Sequence, residues 1–232
     1  MENRNVFNPE YIRQIKGAAN LSDIIHDAIK EAIVSGKLDP GMKLKQIELA
    51  ERFGVSQQTV REALKRLVSS GWVVQKPNRG FNVSDISFKE QDHIFELRMV
   101  LETYAMETAA REISDEDLAR MRNLLPLTAS PERSLSEKQV EEYNHDFHMI
   151  PVQALNNPHL VRILENLWDL LWVYHLRHEN DELERQAARL ALEEHEQILL
   201  ALENHDPQAV REAVQHHLKA TKSLFDETKK IH

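Results

Sequence analysis

GKLDPGMKLKQIELAERFGVSQQTVREALKRLVSSGWVVQKPNRGFNVSDI, residues 36–86, is the stretch whose reading decides the fold. Asp39-Pro40-Gly41 is a turn signal. A short helix is expected from about Gln46 to Phe53, with Leu49 and Ala50 turned inward. Gly54 closes it, because glycine tolerates the left-handed conformation that a tight helix–helix turn requires. Ser56 stands where an N-cap belongs, its hydroxyl able to satisfy a free backbone N–H of the next helix. That helix runs to about Ser70 with Val60, Ala63, Leu64, Leu67 and Val68 on one face. Its other face carries Gln57, Gln58, Arg61, Glu62 and Lys65. After Gly71, two short β-prone runs flank Lys-Pro-Asn-Arg-Gly and read as a hairpin. Upstream, Leu21, Ile24, Ile25, Ala28, Ile29, Ala32 and Ile33 form the apolar stripe of a helix that ends at Gly36. Residues 1–20 lack a clear period and read as a flexible arm.

Helix, turn, helix and a basic hairpin make a device for reading duplex DNA. The major groove admits one helix and displays a distinct donor and acceptor pattern for each base pair. Gln57 and Gln58 lie at the N-terminal end of the second helix, where glutamine can pair bidentately with adenine. Arg61 can meet guanine or a phosphate, and Lys65 a phosphate. In the hairpin, Arg79 beside Gly80 can follow the backbone or enter the minor groove, the glycine allowing close approach.

The net charge of −9 first argues against a nucleic-acid partner. Dividing the chain changes that. Residues 1–86 hold 13 basic and 10 acidic residues, net +3, and the remainder is net −12. A basic front on an acidic body fits DNA binding confined to one domain. No cysteine is present, so disulfides and thiolate metal sites are excluded. No signal-peptide pattern or membrane-spanning apolar run appears, and a cytoplasmic location is expected.

From residue 88 onward the pattern is helical throughout, with helices expected at about 88–112, 115–125, 136–155, 157–178, 181–204 and 207–230. Pro151 is expected to kink the third of these or end it early. The fold class is therefore mainly α: a winged helix-turn-helix over 21–86 and a helical bundle over 88–232.

Three histidines of the bundle stand out. His195 lies 11 residues before Asp206 and His217 lies 11 after it. In an antiparallel hairpin turning at 205–207, both are about 16 Å from the turn and side by side. Each belongs to its helix's apolar stripe, whereas His216 points about 100° away. A third, His148, has Asn144 one turn earlier, and i, i+4 spacing is how one helix offers two ligands to one metal. Three neutral imidazoles and an oxygen suit zinc or nickel. The competing reading is three hydrogen-bonded core histidines. Arg98 lies in a largely apolar stretch, where a guanidinium needs a partner. Glu102 is the nearby carboxylate. Trp172 and His175 share a helical face, and both are candidates to line an effector cavity.

The run quoted above resembles the DNA-binding domain of the GntR family, most specifically in VREALKRL and the closing RGFNV. The resemblance implies a homodimer reading a palindromic site, with arginine contacts carried over to Arg61 and Arg79. Gln57 and Ile47 stand where the family often has arginine, which implies a shifted operator. Residues 90–225 resemble the FCD effector domain of the FadR-type branch, through ELRMVLE at 96–102, Phe147-His148, NNPHL at 156–160, Glu194-His195 and HHL at 216–218. That resemblance implies a divalent metal held by Asn144, His148, His195 and His217, with asparagine where an aspartate is usual. It also implies that Arg98 pairs with the carboxylate of a small organic or sugar acid.

The function expected is a ligand-responsive DNA-binding regulator. Two other classes compete with it. A metal-dependent hydrolase needs a general base, and Glu194, next to His195, diverges from it by about 100° and should point away from a metal. A constitutive architectural DNA-binding dimer would need no ligand at all.

Overall fold

The computed structural model describes residues 6–8, 10, 20–77, 79–85, 87–127, 137–175 and 181–228. It contains α1 (Leu21–Val34), β1 (Lys43–Leu44), α2 (Gln46–Phe53), α3 (Gln57–Ser69), β2 (Val73–Lys76), β3 (Gly80–Val83), α4 (Phe88–Ala109), α5 (Asp115–Leu124), a 3-10 turn at Leu125–Leu127, α6 (Glu137–Ala154), α7 (Pro158–His175), α8 (Asp181–Glu203) and α9 (Pro207–Thr228). They divide into two compact units. The first holds residues 1–87 and 169–177, the second 88–168 and 178–232. Residues 169–177, within the stretch expected as the second domain, group with the first unit. One uninterrupted helix, α7, contributes residues to both units, and no break in its sequence marks the place.

In the first unit, α1 and α3 supply Ile25, Ala28, Ile29, Ala32, Ile33, Val60, Ala63, Leu64 and Leu67 to a core closed by Trp72 and Phe81. Arg66 on α3 pairs with Asp23 on α1. The turn between α2 and α3 forms as its residues demand: Gly54 sits at φ +68°, and Ser56 Oγ accepts from the Thr59 N–H at 3.1 Å. The expected hairpin pairs Val73 with Val83 and Lys76 with Gly80. A third strand, β1, pairs Lys43 with Asn82 on the other side of β3. At two residues it is too short to leave a periodic signal. Phe7 is buried and packs against Phe53 with ring centroids 4.7 Å apart and tilted by 45°, so part of the expected flexible arm is anchored on α2.

In the second unit, the core gathers Met106 from α4 and Ala110 just after it, Leu118 and Met121 from α5, Phe147 and Ile150 from α6, Ile198 and Leu202 from α8, and Val210, Val214 and Leu218 from α9. Pro151 does not end α6, which continues to Ala154. Phe147, Met149, Ile150 and Val152 are buried on both sides of it, and that packing outweighs the backbone hydrogen bond a proline removes. Asn156 adopts φ +50°, and Asn157 Oδ1 accepts from the His159 and Leu160 N–H groups to cap α7. Pro158 then occupies the first helical position, where its missing N–H costs nothing.

Candidate functional site

The site starts from a turn. His205 takes φ +50°, and Asp206 Oδ1 accepts from the Gln208 and Ala209 N–H groups to cap α9. The antiparallel register this sets brings His195 of α8 against His217 of α9. From α6, His148 completes the group. Its Nε2 lies 3.1 Å from His195 Nε2 and 3.1 Å from His217 Nε2, and the remaining pair is 3.3 Å apart. All three rings are buried, while His216 is 77 % exposed.

Two of the three imidazoles have a carboxylate at the opposite ring nitrogen. Glu102 Oε2 lies 2.9 Å from His148 Nδ1, and Glu194 Oε2 lies 2.8 Å from His217 Nδ1. A carboxylate at Nδ1 holds the proton there and leaves Nε2 as a lone pair facing inward. Lone pairs that converge without a positive charge repel one another. Three imidazoles bonded to a tetrahedral zinc at about 2.0–2.1 Å stand about 3.3–3.4 Å apart, nitrogen to nitrogen. The observed triangle is slightly tighter than that. The donor set therefore fits a divalent cation of the zinc or nickel kind.

Electrostatics favour the neutral, ligating forms. Burial pushes His148 down to about 4, against the pull of Glu102. Burial and the two neighbouring imidazoles push His195 well below its ordinary value. Burial opposes ionisation of Glu102, but Arg98 and His148 outweigh it and hold the carboxyl at about 2. Arg98 Nε donates to Glu102 Oε1 at 2.5 Å, and its guanidinium lies 3.5 Å over the ring of Trp168. Arg98, Glu102, His148 and the Nε2 triangle thus form one buried polar chain.

Asn144 lies one turn before His148 on α6 with a buried Oδ1. Arg98 stands at the end of the cluster as well, with the carboxylate named from the sequence as its partner. Trp172 is half-buried within the 169–177 stretch, and of His175 only the backbone is described. Two aromatics meet the cluster: Phe147 stacks on His195 at 4.5 Å between ring centroids, and the ring centroid of Trp168 is 5.3 Å from that of His148. Sequence reading missed Trp168 and the carboxylates' work behind the histidines. The signal for Glu194 was available in the hairpin register, since pairing 195 with 217 leaves residue 194 beside the same ring.

In the first unit, Gln57, Gln58, Arg61 and Lys65 are all exposed on α3. Gln58 Nε2 donates to Glu62 Oε1 at 3.0 Å. Arg79 is exposed at the hairpin turn, and Gly80 takes φ +83°, a conformation that disfavours a side chain. Helix and hairpin together offer a polar, cationic surface on a rigid apolar support.

Residues 21–83 match the family model of bacterial regulatory proteins of the gntR family, and residues 93–220 match the FCD domain. The chain is 26% identical to the Bacillus subtilis protein described as the uncharacterized HTH-type transcriptional regulator YdhC, over 83% of this chain and 85% of that one. It is 28% identical to the gluconate operon transcriptional repressor of Bacillus licheniformis, over 77% of this chain and 70% of that one. Its structure resembles that of Escherichia coli McbR/YncC at 26% identity and TM-score 0.71, covering 90% of this chain and 99% of that one.

Proposed function

The chain belongs to the GntR family of bacterial transcription regulators and carries an FCD domain, and from that premise we propose that a small carboxylate, bound beside a metal in the helical unit, sets its affinity for a palindromic operator. Its relatives are regulators, and the chain is a DNA-binding regulator, not an enzyme. The metal would be held by His148, His195 and His217, with Asn144 supplying a carbonyl oxygen and Glu102 and Glu194 fixing the imidazoles. When bound, the cation adds fixed positive charge for an acid's oxygens. The convergence of three buried Nε2 atoms carries this reading.

Arg98 supplies the second charge. Its Nε is committed to Glu102, which leaves the rest of the guanidinium to meet an anion. The neighbouring Trp168 Nε1 is buried without an acceptor, and a buried donor beside a buried cation calls for an acceptor with negative charge. That one relative represses a gluconate operon supports a sugar acid as the effector class and repression as the mode.

On DNA, Gln57, Gln58 and Arg61 read base edges, Lys65 meets a phosphate, and Arg79 with Gly80 follows the backbone or minor groove. The assembly is a homodimer. Leu97, Val100 and Tyr104 lie on one stripe of α4 and are 53, 67 and 57 % exposed, an apolar surface suited to a second copy. A ligand shifts operator affinity only by binding one dimer arrangement better than another.

The test is fluorescence anisotropy with duplex DNA from upstream of the protein's own gene. Affinity is expected to fall steeply with salt, and at least one hydroxy or sugar acid is expected to change it in the zinc-loaded protein. Binding to no DNA even at low salt would overturn the operator assignment. Binding that ignores every acid would leave a constitutive architectural dimer.

A further inference from the structure

Among the described residues, two buried polar side chains, Thr103 and Gln91, lie outside the site described so far, and Gln91 is the one on the same stripe of α4 as Arg98. It is 0 % exposed, and neither Nε2 nor Oε1 has a hydrogen-bond partner. Leaving an amide in that state costs stability, and folded chains rarely accept it without a later partner. Its position relates it to Arg98. At 100° per residue, Gln91, Phe95, Arg98 and Glu102 fall within an arc of about 60° on α4. They form one buried stripe. At 1.5 Å per residue Gln91 stands about 10 Å along the axis from Arg98, and the stripe between them carries Phe95, whose ring lies 5.9 Å from the Arg98 guanidinium.

We propose that Gln91 reads the far end of the effector: the ligand is an acid whose carboxylate lies at Arg98 and whose chain ends, about six carbons on, in a hydroxyl that the Gln91 amide both donates to and accepts from. This rests on the carboxylate reading of Arg98 and adds the tail. An extended six-carbon hydroxy acid spans about 8 Å from carboxylate to hydroxyl by ordinary bond lengths, and the glutamine side chain covers the remainder. The amide is neutral, so a second carboxylate at this end would be buried without a counter-charge. A methyl end would leave both amide groups unpaired. The site selects a hydroxyl over either.

The probes are hexanoate, 6-hydroxyhexanoate and hexanedioate, three six-carbon acids that differ at one end. Each is titrated into zinc-loaded full-length protein by calorimetry. 6-Hydroxyhexanoate is expected to bind about tenfold more tightly than the other two. Gln91→Met, close in shape and apolar, is expected to erase that preference and to raise the melting temperature of the ligand-free protein, since it removes an unpaired amide. Trp168→Phe, which keeps the ring and loses the N–H, is expected to weaken all three acids equally. If hexanoate binds as well as 6-hydroxyhexanoate, or hexanedioate binds best, the assignment of Gln91 is wrong while the carboxylate site stands. If none of the three binds, the carboxylate reading fails and the tail goes with it. A Gln91→Met protein that melts lower while the acid series is unchanged marks Gln91 as structural.

Discussion

Replacing Glu102 by glutamine changes one charge and little shape, at the point where two arguments meet. The carboxylate is fully buried, 2.5 Å from Arg98 Nε and 2.9 Å from His148 Nδ1. Glutamine can still accept from one of them, but it no longer holds an imidazole proton electrostatically. Loss of a carboxylate behind a metal-bound histidine weakens metal affinity about 10–100-fold, or about 1.4–2.7 kcal/mol. Because Glu102 is dry and its charge is reinforced by Arg98, the upper end of that range is expected. The same change strands a buried guanidinium, which costs about 3–5 kcal/mol where no solvent relieves it. Glu194 is the internal control. Its side chain is 13 % exposed and also faces the solvent-exposed His216 at 3.6 Å, so Glu194→Gln belongs at about tenfold or below. The assay is competition for zinc against a chromogenic chelator, at a temperature where circular dichroism shows both variants folded. Glu102→Gln binding zinc as tightly as the unaltered chain, or more tightly than Glu194→Gln, would refute the reasoning.

Arg61→Ala combined with Arg79→Ala is expected to weaken operator binding by about 1–3 kcal/mol per residue and to flatten its salt dependence; unchanged anisotropy titrations would remove α3 and the hairpin from the interface. Val100→Glu places a charge in the exposed stripe of α4 and is expected to yield monomers by analytical ultracentrifugation, without loss of helix content. An unchanged dimer would put the interface elsewhere. In chelated protein, His148 takes up a proton near pH 4 when folded against 6.5 ordinarily, so between those values only the unfolded chain gains it. Glu102 ionises near 2 against 4.5, so its contribution, full above 4.5, is lost as pH falls toward 2. Both act in one direction: stability falls as pH drops below 6.5, and melting temperatures that stay level between about pH 7 and 5 would contradict it.

The DNA-reading unit was legible because its signals are local. Gly54, Ser56 and the apolar spacing from Val60 to Leu67 each act within a few residues, and they form as their chemistry dictates. The histidine pair was also legible, because one turn at 205–207 fixes the register of two long helices. His148 required a step across the bundle, and spacing on α6 alone left it ambiguous with a core histidine. The roles of Glu102, Trp168 and Gln91 depend on how α4, α6 and α7 pack. Helical spacing names the face a residue occupies and not the ring or carboxylate it meets. That Pro151 does not end α6 was hidden for a related reason, since local helix propensity carries no information about the buried residues beside it. Two-residue β1 leaves no period to read.

Metal content of the full-length protein, measured by mass spectrometry after loading with zinc or nickel and exhaustive dialysis, tests the convergent histidines most directly. One ion per chain is expected, falling to none in a folded variant with His148 and His195 both replaced by alanine. A folded, unaltered chain that retains neither metal would contradict the account at its centre.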